Sequence, residues 1–218
     1  MTVQSWPHVW RTVADELNES WTTGLGRFVT EDVLRFATIK GLVAQGAPAS
    51  DLESEWRRLG VADAVDLVVT RDPRAAIEFK YPREPRETNA AWTQHLGELL
   101  KDFYRLAHMP TDFDERWCVQ LVSRRVQKYL DGVGDRYGVQ IAAHPGQVTD
   151  LQAPAVRGLP ATATGRLTRW LGDGRTVRAT CVGAYEVGEL LLMVHDVEQP
   201  MPSQNLAGAP LSGKERER

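Results

Sequence analysis

Residues Val65–Tyr81 read VDLVVTRDPRAAIEFKY, two apolar runs of β type on either side of a break. The first run spans Ala64 to Val69 and the second Ala75 to Tyr81, and between them Asp72-Pro73 is a turn signal. Side chains alternate along a strand, so Glu78 and Lys80 share one face while Ile77 and Phe79 point to the other. A turn centred on Asp72-Pro73 sets Asp66 opposite Glu78 or Phe79. One register therefore gathers two carboxylates and an ammonium on one side of a hairpin otherwise filled by Val, Ile, Ala and Phe. Charge in such a place is costly unless it is paired or coordinates a metal.

Outward from the hairpin the period changes. Asn89 to Leu106 carries an apolar stripe at Trp92, Leu96, Leu99, Phe103 and Leu106, which predicts a long helix. Trp117 to Val122 (WCVQLV) predicts a buried strand, and Arg124 to Leu130 a short helix. Upstream, Trp10, Val13, Leu17 and Trp21 predict a helix over Val9–Trp21. A second helix starts at the N-cap Thr30, has Glu31 and Asp32 in its first turn, and ends at the Gly46-Ala47-Pro48 break. Asp51 to Leu59 reads as a third, short helix. The sum is an α/β layout with a mixed central sheet flanked by helices.

After Gly132 the character shifts. Residues 142–165 are rich in Pro, Gly, Thr and Ala and read as loop. Three β-like stretches come next, Gly165–Trp170, Thr176–Val182 and Glu189–Val197, which either extend the main sheet or form a separate meander. The expected organisation is a core over 1–140, a C-terminal β extension over 141–198 and a disordered tail over 199–218.

The chain has 218 residues, enough for one substantial core, and its 26 basic against 29 acidic residues give a net charge of −3. That balance argues against gripping nucleic acid by bulk positive charge, but leaves room for a local basic groove. Cys118 and Cys181 sit in apolar runs and read as buried free thiols of a reducing compartment. The start, MTVQSWPHVW, lacks the pattern of a secretory signal, and no apolar run is long enough to span a bilayer, so a cytoplasmic protein is expected. His195-Asp196 reads as a surface pair, and Trp92 and Tyr104 as core or core edge. Zinc spacings, a dinucleotide fingerprint and a Ser-His-Asp arrangement are missing from the sequence.

The chemistry that suits Asp66, Glu78 and Lys80 is metal-assisted phosphodiester hydrolysis. Two nearby carboxylates hold a hard cation such as Mg²⁺, which keeps waters and takes phosphate as a further ligand. It lowers the pKa of an attacking water, and a lysine offsets the developing charge. A bare Glu-x-Lys arises by chance on the order of once in a chain of this length. The weight lies in its combination with the facing Asp66 and the long helix after it.

That combination resembles the core motif of the PD-(D/E)XK nuclease superfamily, the restriction-endonuclease-like fold. There an Asp begins the second strand, (Asp/Glu)-x-Lys lies on the third, and helices flank a mixed central sheet. Asp66 matches the first position, with Val65 in place of the family's proline, and Glu78 and Lys80 match the second motif. The resemblance implies that Asp66, Glu78 and the Phe79 carbonyl hold Mg²⁺ (Mn²⁺ substituting), with Glu31 in TEDVLRF assisting and Glu16 and Glu19 as weaker matches. It also implies a glutamine on the next helix, matched by Gln94. Arg83, Arg86 and Lys101 are candidates for a phosphate path. The activity implied is that of a DNA endonuclease serving restriction or phage defence, dimeric if both strands of a duplex are cut. Two rivals stand beside it: a nuclease-fold module that binds nucleic acid or a protein partner without cutting, and a partner-binding protein whose charged trio is a surface ion-pair ladder.

Overall fold

The strand β4 (Glu115–Ser123) is buried at every position but its two ends, as befits a strand covered on both faces. The computed structural model describes residues 5–57, 64–82, 89–172 and 174–200. Seven strands form one sheet: β1 (Leu52–Trp56), β2 (Val65–Val69), β3 (Ala75–Lys80), β4, β5 (Val148–Leu151), β6 (Val177–Val187) and β7 (Leu190–Val197). Their order across it is β1-β2-β3-β4-β7-β6-β5, with β4 in the middle. The sheet is mixed. β3 and β4 are its parallel pair and the other neighbours run antiparallel. A parallel pair needs a crossover, and α3 (Asn89–Ala107) supplies it.

Helices cover both faces. On one, α1 (Trp6–Thr22) and α2 (Glu31–Ala44) pack onto Leu67, Ile77, Phe79, Val119 and Leu121. Trp6, Trp10 and Trp117 cluster there, with ring centroids 5.0–5.5 Å apart. On the other, α3 and α4 (Arg124–Tyr137) close over Val68, Ala76, Cys118 and Val122. The alternation expected within β3 is met: Ile77 and Phe79 face the α1–α2 side, whereas Ala76 faces α3.

The structure corrects several local readings. Residues 52–56 pair with β2 as an edge strand instead of forming a helix. Glu53 and Glu55 favour a helix locally, but exposed acids are also what keeps an edge strand from pairing further. Residues 165–170 are not a strand: Leu167, Trp170 and Leu171 are buried at helical spacing, and α7 (Thr168–Leu171) is helical. The 142–165 stretch contains β5 and two short helices, α5 (Ala153–Arg157) and α6 (Ala161–Thr164). α4 runs past Gly132 and Gly134 to end at Gly138, which adopts φ +68° as a left-handed cap. β6 and β7 complete the main sheet and do not form a separate meander. Cys118 and Cys181 are buried free thiols. The tail expected from Gln199 onward lies, beyond Pro200, outside the described residues.

One close approach fixes how α3 meets α6. A methyl group added at Gly97 would stand 2.5 Å from the Ala163 carbonyl oxygen. Backbone cannot yield as a side-chain tip can. Gly97→Ala is therefore expected to lower unfolding stability by roughly 1–3 kcal/mol, read as a reduced urea midpoint. An unchanged midpoint would contradict this packing.

Candidate active site

The pairing of β2 with β3 runs from Val69↔Ala75 to Leu67↔Ile77, a register that continues to Asp66 opposite Glu78. At that level a side chain replaces the backbone acceptor: the Phe79 N–H donates to Asp66 Oδ2 at 2.8 Å. The N–H and C=O of one residue in an extended strand point to the same edge, so the Phe79 carbonyl also faces β2. Asp66 is thereby held on β2 with one oxygen committed and the other 3.7 Å from Arg35.

Glu78 is fully buried. One of its carboxylate oxygens is paired with Arg105, and the other, Oε1, is buried without a hydrogen-bond partner among the described residues. Arg105 also donates to the Ala64 carbonyl at 3.0 Å and lies 3.3 Å from Asp102. Asp102, itself buried, stands 3.5 Å from Lys80, whose ammonium reaches Glu31 at 3.6 Å. Glu31 in turn accepts the Tyr81 N–H at 3.3 Å. The structure thus brings Glu31, Asp66, Glu78, Lys80 and the Phe79 backbone together in one cluster.

Electrostatics define what these groups can do. Burial, and then the facing charge of Asp66, push the Glu78 carboxyl well above its ordinary range, against the pull of Arg105. Burial also lifts Asp102 to about 6, with Lys80 and Arg105 opposing. For Lys80 burial disfavours the charge, but Asp102, Glu31, Asp66 and Glu78 together outweigh it, and its pKa rises. Lys80 is therefore a fixed cation at neutral pH and not a base. Within the cluster five acids, Glu31, Glu55, Asp66, Glu78 and Asp102, face three bases, Arg35, Lys80 and Arg105.

A hard cation fits this donor set in part. Asp66 and Glu78 are adjacent oxygen donors, and Glu78 Oε1 is an orphaned buried acceptor of the kind a cation satisfies. Set against that, Arg105 and Arg35 already neutralise the two carboxylates. Among the described residues no group of three His, Cys, Asp or Glu side chains stands at metal spacing.

Gln94 is exposed on α3, two turns before Asp102. Lys101 is half-buried beside Asp102 and pulls its pKa down. Arg83 and Arg86 fall outside the described residues. Glu16 pairs with Lys40 at 2.7 Å, outside the cluster. His195 is not a surface residue: it is fully buried, its Nε2 lies 2.7 Å from the Ala142 carbonyl, and burial lowers its pKa to about 4, keeping the ring neutral.

Four members were missed in the sequence. Asp102 and Arg105 lie within the apolar stripe of α3, Asp102 three residues after Leu99 and four before Leu106, and a carboxylate on that buried line was the signal available. Arg35 lies one turn after Glu31 on α2. Glu55, on β1, adopts φ +53° and meets Arg35 at 2.9 Å. That conformation costs a non-glycine residue roughly 1–2 kcal/mol, so it is held there by its surroundings. Gln120, Cα partner of Lys80 across the parallel register, is also fully buried, with its Oε1 unpartnered among the described residues.

Beyond the Lys80 end of the cluster a cavity of about 800 Å³ opens, lined by Tyr81, Ser123, Arg124, Arg125 and Glu186. Arg124 is paired with Glu186, and Arg125 lies over the Trp92 ring.

The raised Asp102 pKa has a sign that can be checked. A carboxyl that holds its proton longer when folded contributes stability below its ordinary value of 3.8 and loses it as pH rises to about 6. In urea unfolding from about pH 4 to 6, Asp102→Asn is expected to lose that part of the downward slope. Identical slopes in both proteins would show that Asp102 does not titrate in this way.

In comparisons with known proteins no family model matches the chain, no curated protein matches it, and no solved structure matches its fold.

Proposed function

We propose that this chain is a metal-dependent nuclease of restriction-endonuclease-like architecture, acting on DNA in the first place. The observation that carries the reading is the clamp of Asp66 on the Phe79 N–H, which sets Asp66 beside the buried Glu78 with Lys80 one position beyond Phe79. The element order supports it as well. Because 52–56 is a strand, Asp66 falls near the start of the second strand and Glu78-x-Lys80 lies on the third, where the resembled motif has them. The α3 crossover to a parallel β4 then completes a mixed sheet between helical layers.

In this mechanism Asp66, Glu78 and the Phe79 carbonyl would hold Mg²⁺ or Mn²⁺, and Glu31 lies at the cluster's edge to assist. The bound cation supplies positive charge at the scissile phosphate and a more acidic water. The chain's own residues do the positioning. Lys80, kept cationic by Asp102 and Glu31, sits where it offsets negative charge developing on the phosphate. Asp102 and Arg105 hold Lys80 and Glu78 from behind, so neither spends entropy finding its place. Arg124, Arg125 and the half-buried Lys101 offer contacts to the flanking backbone.

A second reading is favoured by one observation. Arg105 on Glu78 and Arg35 on Asp66 leave both carboxylates charge-compensated without a cation, which suits a module that binds nucleic acid and does not cut it. Incubating duplex DNA, single-stranded DNA and RNA with the chain, with Mg²⁺, Mn²⁺ or EDTA, separates the two. The nuclease reading expects metal-dependent cutting that falls by at least about 10²-fold in Lys80→Ala and Glu78→Gln, with circular dichroism unchanged. Binding without cutting on every substrate supports the second reading, and equal cutting by both variants would remove these residues from the chemistry.

A further inference from the structure

Helix α2 is apolar on two sides. Its inner side buries Leu34, Ala37 and Leu42 against the sheet layer. Its outer side leaves Val33, Phe36 and Val43 at 36%, 61% and 44% exposure, and the turn before it leaves Leu25 and Phe28 at 52% and 57%. These five are most of the large apolar side chains exposed among the described residues, gathered on one segment. A helix that is apolar all round is expected to be covered all round, and clustered exposure marks an interaction surface where scattered exposure does not.

Charge around this face is self-complementary. Phe36 is at the centre of the outer stripe, with Asp32 one turn before it and Lys40 one turn after, both exposed. A twofold axis through Phe36 sets two α2 helices antiparallel. Asp32 then meets the second copy's Lys40, Phe36 meets its own counterpart, and the Leu25–Phe28 turn lies beside the second copy's Val43. Such pairing of a patch with itself is the isologous geometry of a twofold dimer. Asp32 already lies 3.4 Å from Arg35, and Lys40 already bonds Glu16 at 2.7 Å, so the intermolecular pair extends existing contacts.

We infer that the outer face of α2 and the Leu25–Phe28 turn form the interface of a homodimer. Glu31 points from α2 into the charged cluster while Phe36 points away from it. Dimerisation therefore leaves the cluster open, and it does not depend on what that cluster does. The 14-residue helix is roughly 21 Å long, too narrow alone for a standard interface of about 800 Å² per partner. The turn must contribute, and association is expected in the micromolar range.

Sedimentation velocity of the whole chain from about 1 to 100 μM tests this. The expected result is a monomer–dimer equilibrium that Phe36→Asp shifts to monomer throughout, while Val182→Asp, at an exposed valine on β6, leaves it unchanged. A wild-type chain that stays monomeric over that range overturns the inference. So does a dimer that survives Phe36→Asp.

Discussion

Glu78 is the constraint on which the rest depends. A carboxylate at zero exposure in the middle of a sheet cannot be left alone, because desolvating an unpaired charge costs more than any neighbouring apolar contact returns. The fold meets that demand from the crossover helix. Arg105 takes one Glu78 oxygen, Asp102 stands behind Arg105, and Lys80 closes the chain toward Glu31. Removing one partner of such a buried set is typically worth about 3–5 kcal/mol, most of it the cost of the charge left behind. A purely apolar core at this place would be no less stable. The network is thus better explained by what it positions than by what it stabilises.

The place where strand pairing stops determines what is positioned. β2 and β3 pair by backbone up to Leu67 and Ile77, and there Asp66 supplies the acceptor for Phe79. That substitution turns a strand end into an acidic edge bounded by Lys80, with one buried Glu78 oxygen and one Gln120 oxygen unpartnered among the described residues. The central β4, covered on both faces, gives the edge a rigid floor. Beyond it, a cavity opens beside Tyr81 and the start of α4, with Arg124 and Arg125 sharing its wall with Glu186 and Glu189.

Much of this was legible locally. Asp66, Glu78 and Lys80 stood out because charge interrupts two β-type runs joined by a short turn, and hairpin register is set by turn and alternation alone. For Asp102 the helical period reports only a carboxylate on the buried line of α3; its partners, and Arg105's, depend on α3 folding back over β3. The strand at 52–56 was hidden for a related reason: LESEW has helix-favouring residues, and only pairing with β2 makes it extended. The change of character after Gly132 suggests that α4 stops early, yet burial of Val126, Leu130 and Val133 carries the helix through Gly132 and Gly134. Residues 165–170 read as a β-like stretch, whereas Leu167, Trp170 and Leu171 obey the helical period.

The central claim is that Asp66 and Glu78 form a cation site at the end of the β2–β3 hairpin. Calorimetric titration of Mn²⁺ into the chain at neutral pH, beside Asp66→Asn, tests it most directly. The expected result is one binding event in the wild type that is lost in the variant. No binding in a folded wild-type chain, or binding unchanged by Asp66→Asn, would contradict it and leave Arg35 and Arg105 as the true partners of these carboxylates.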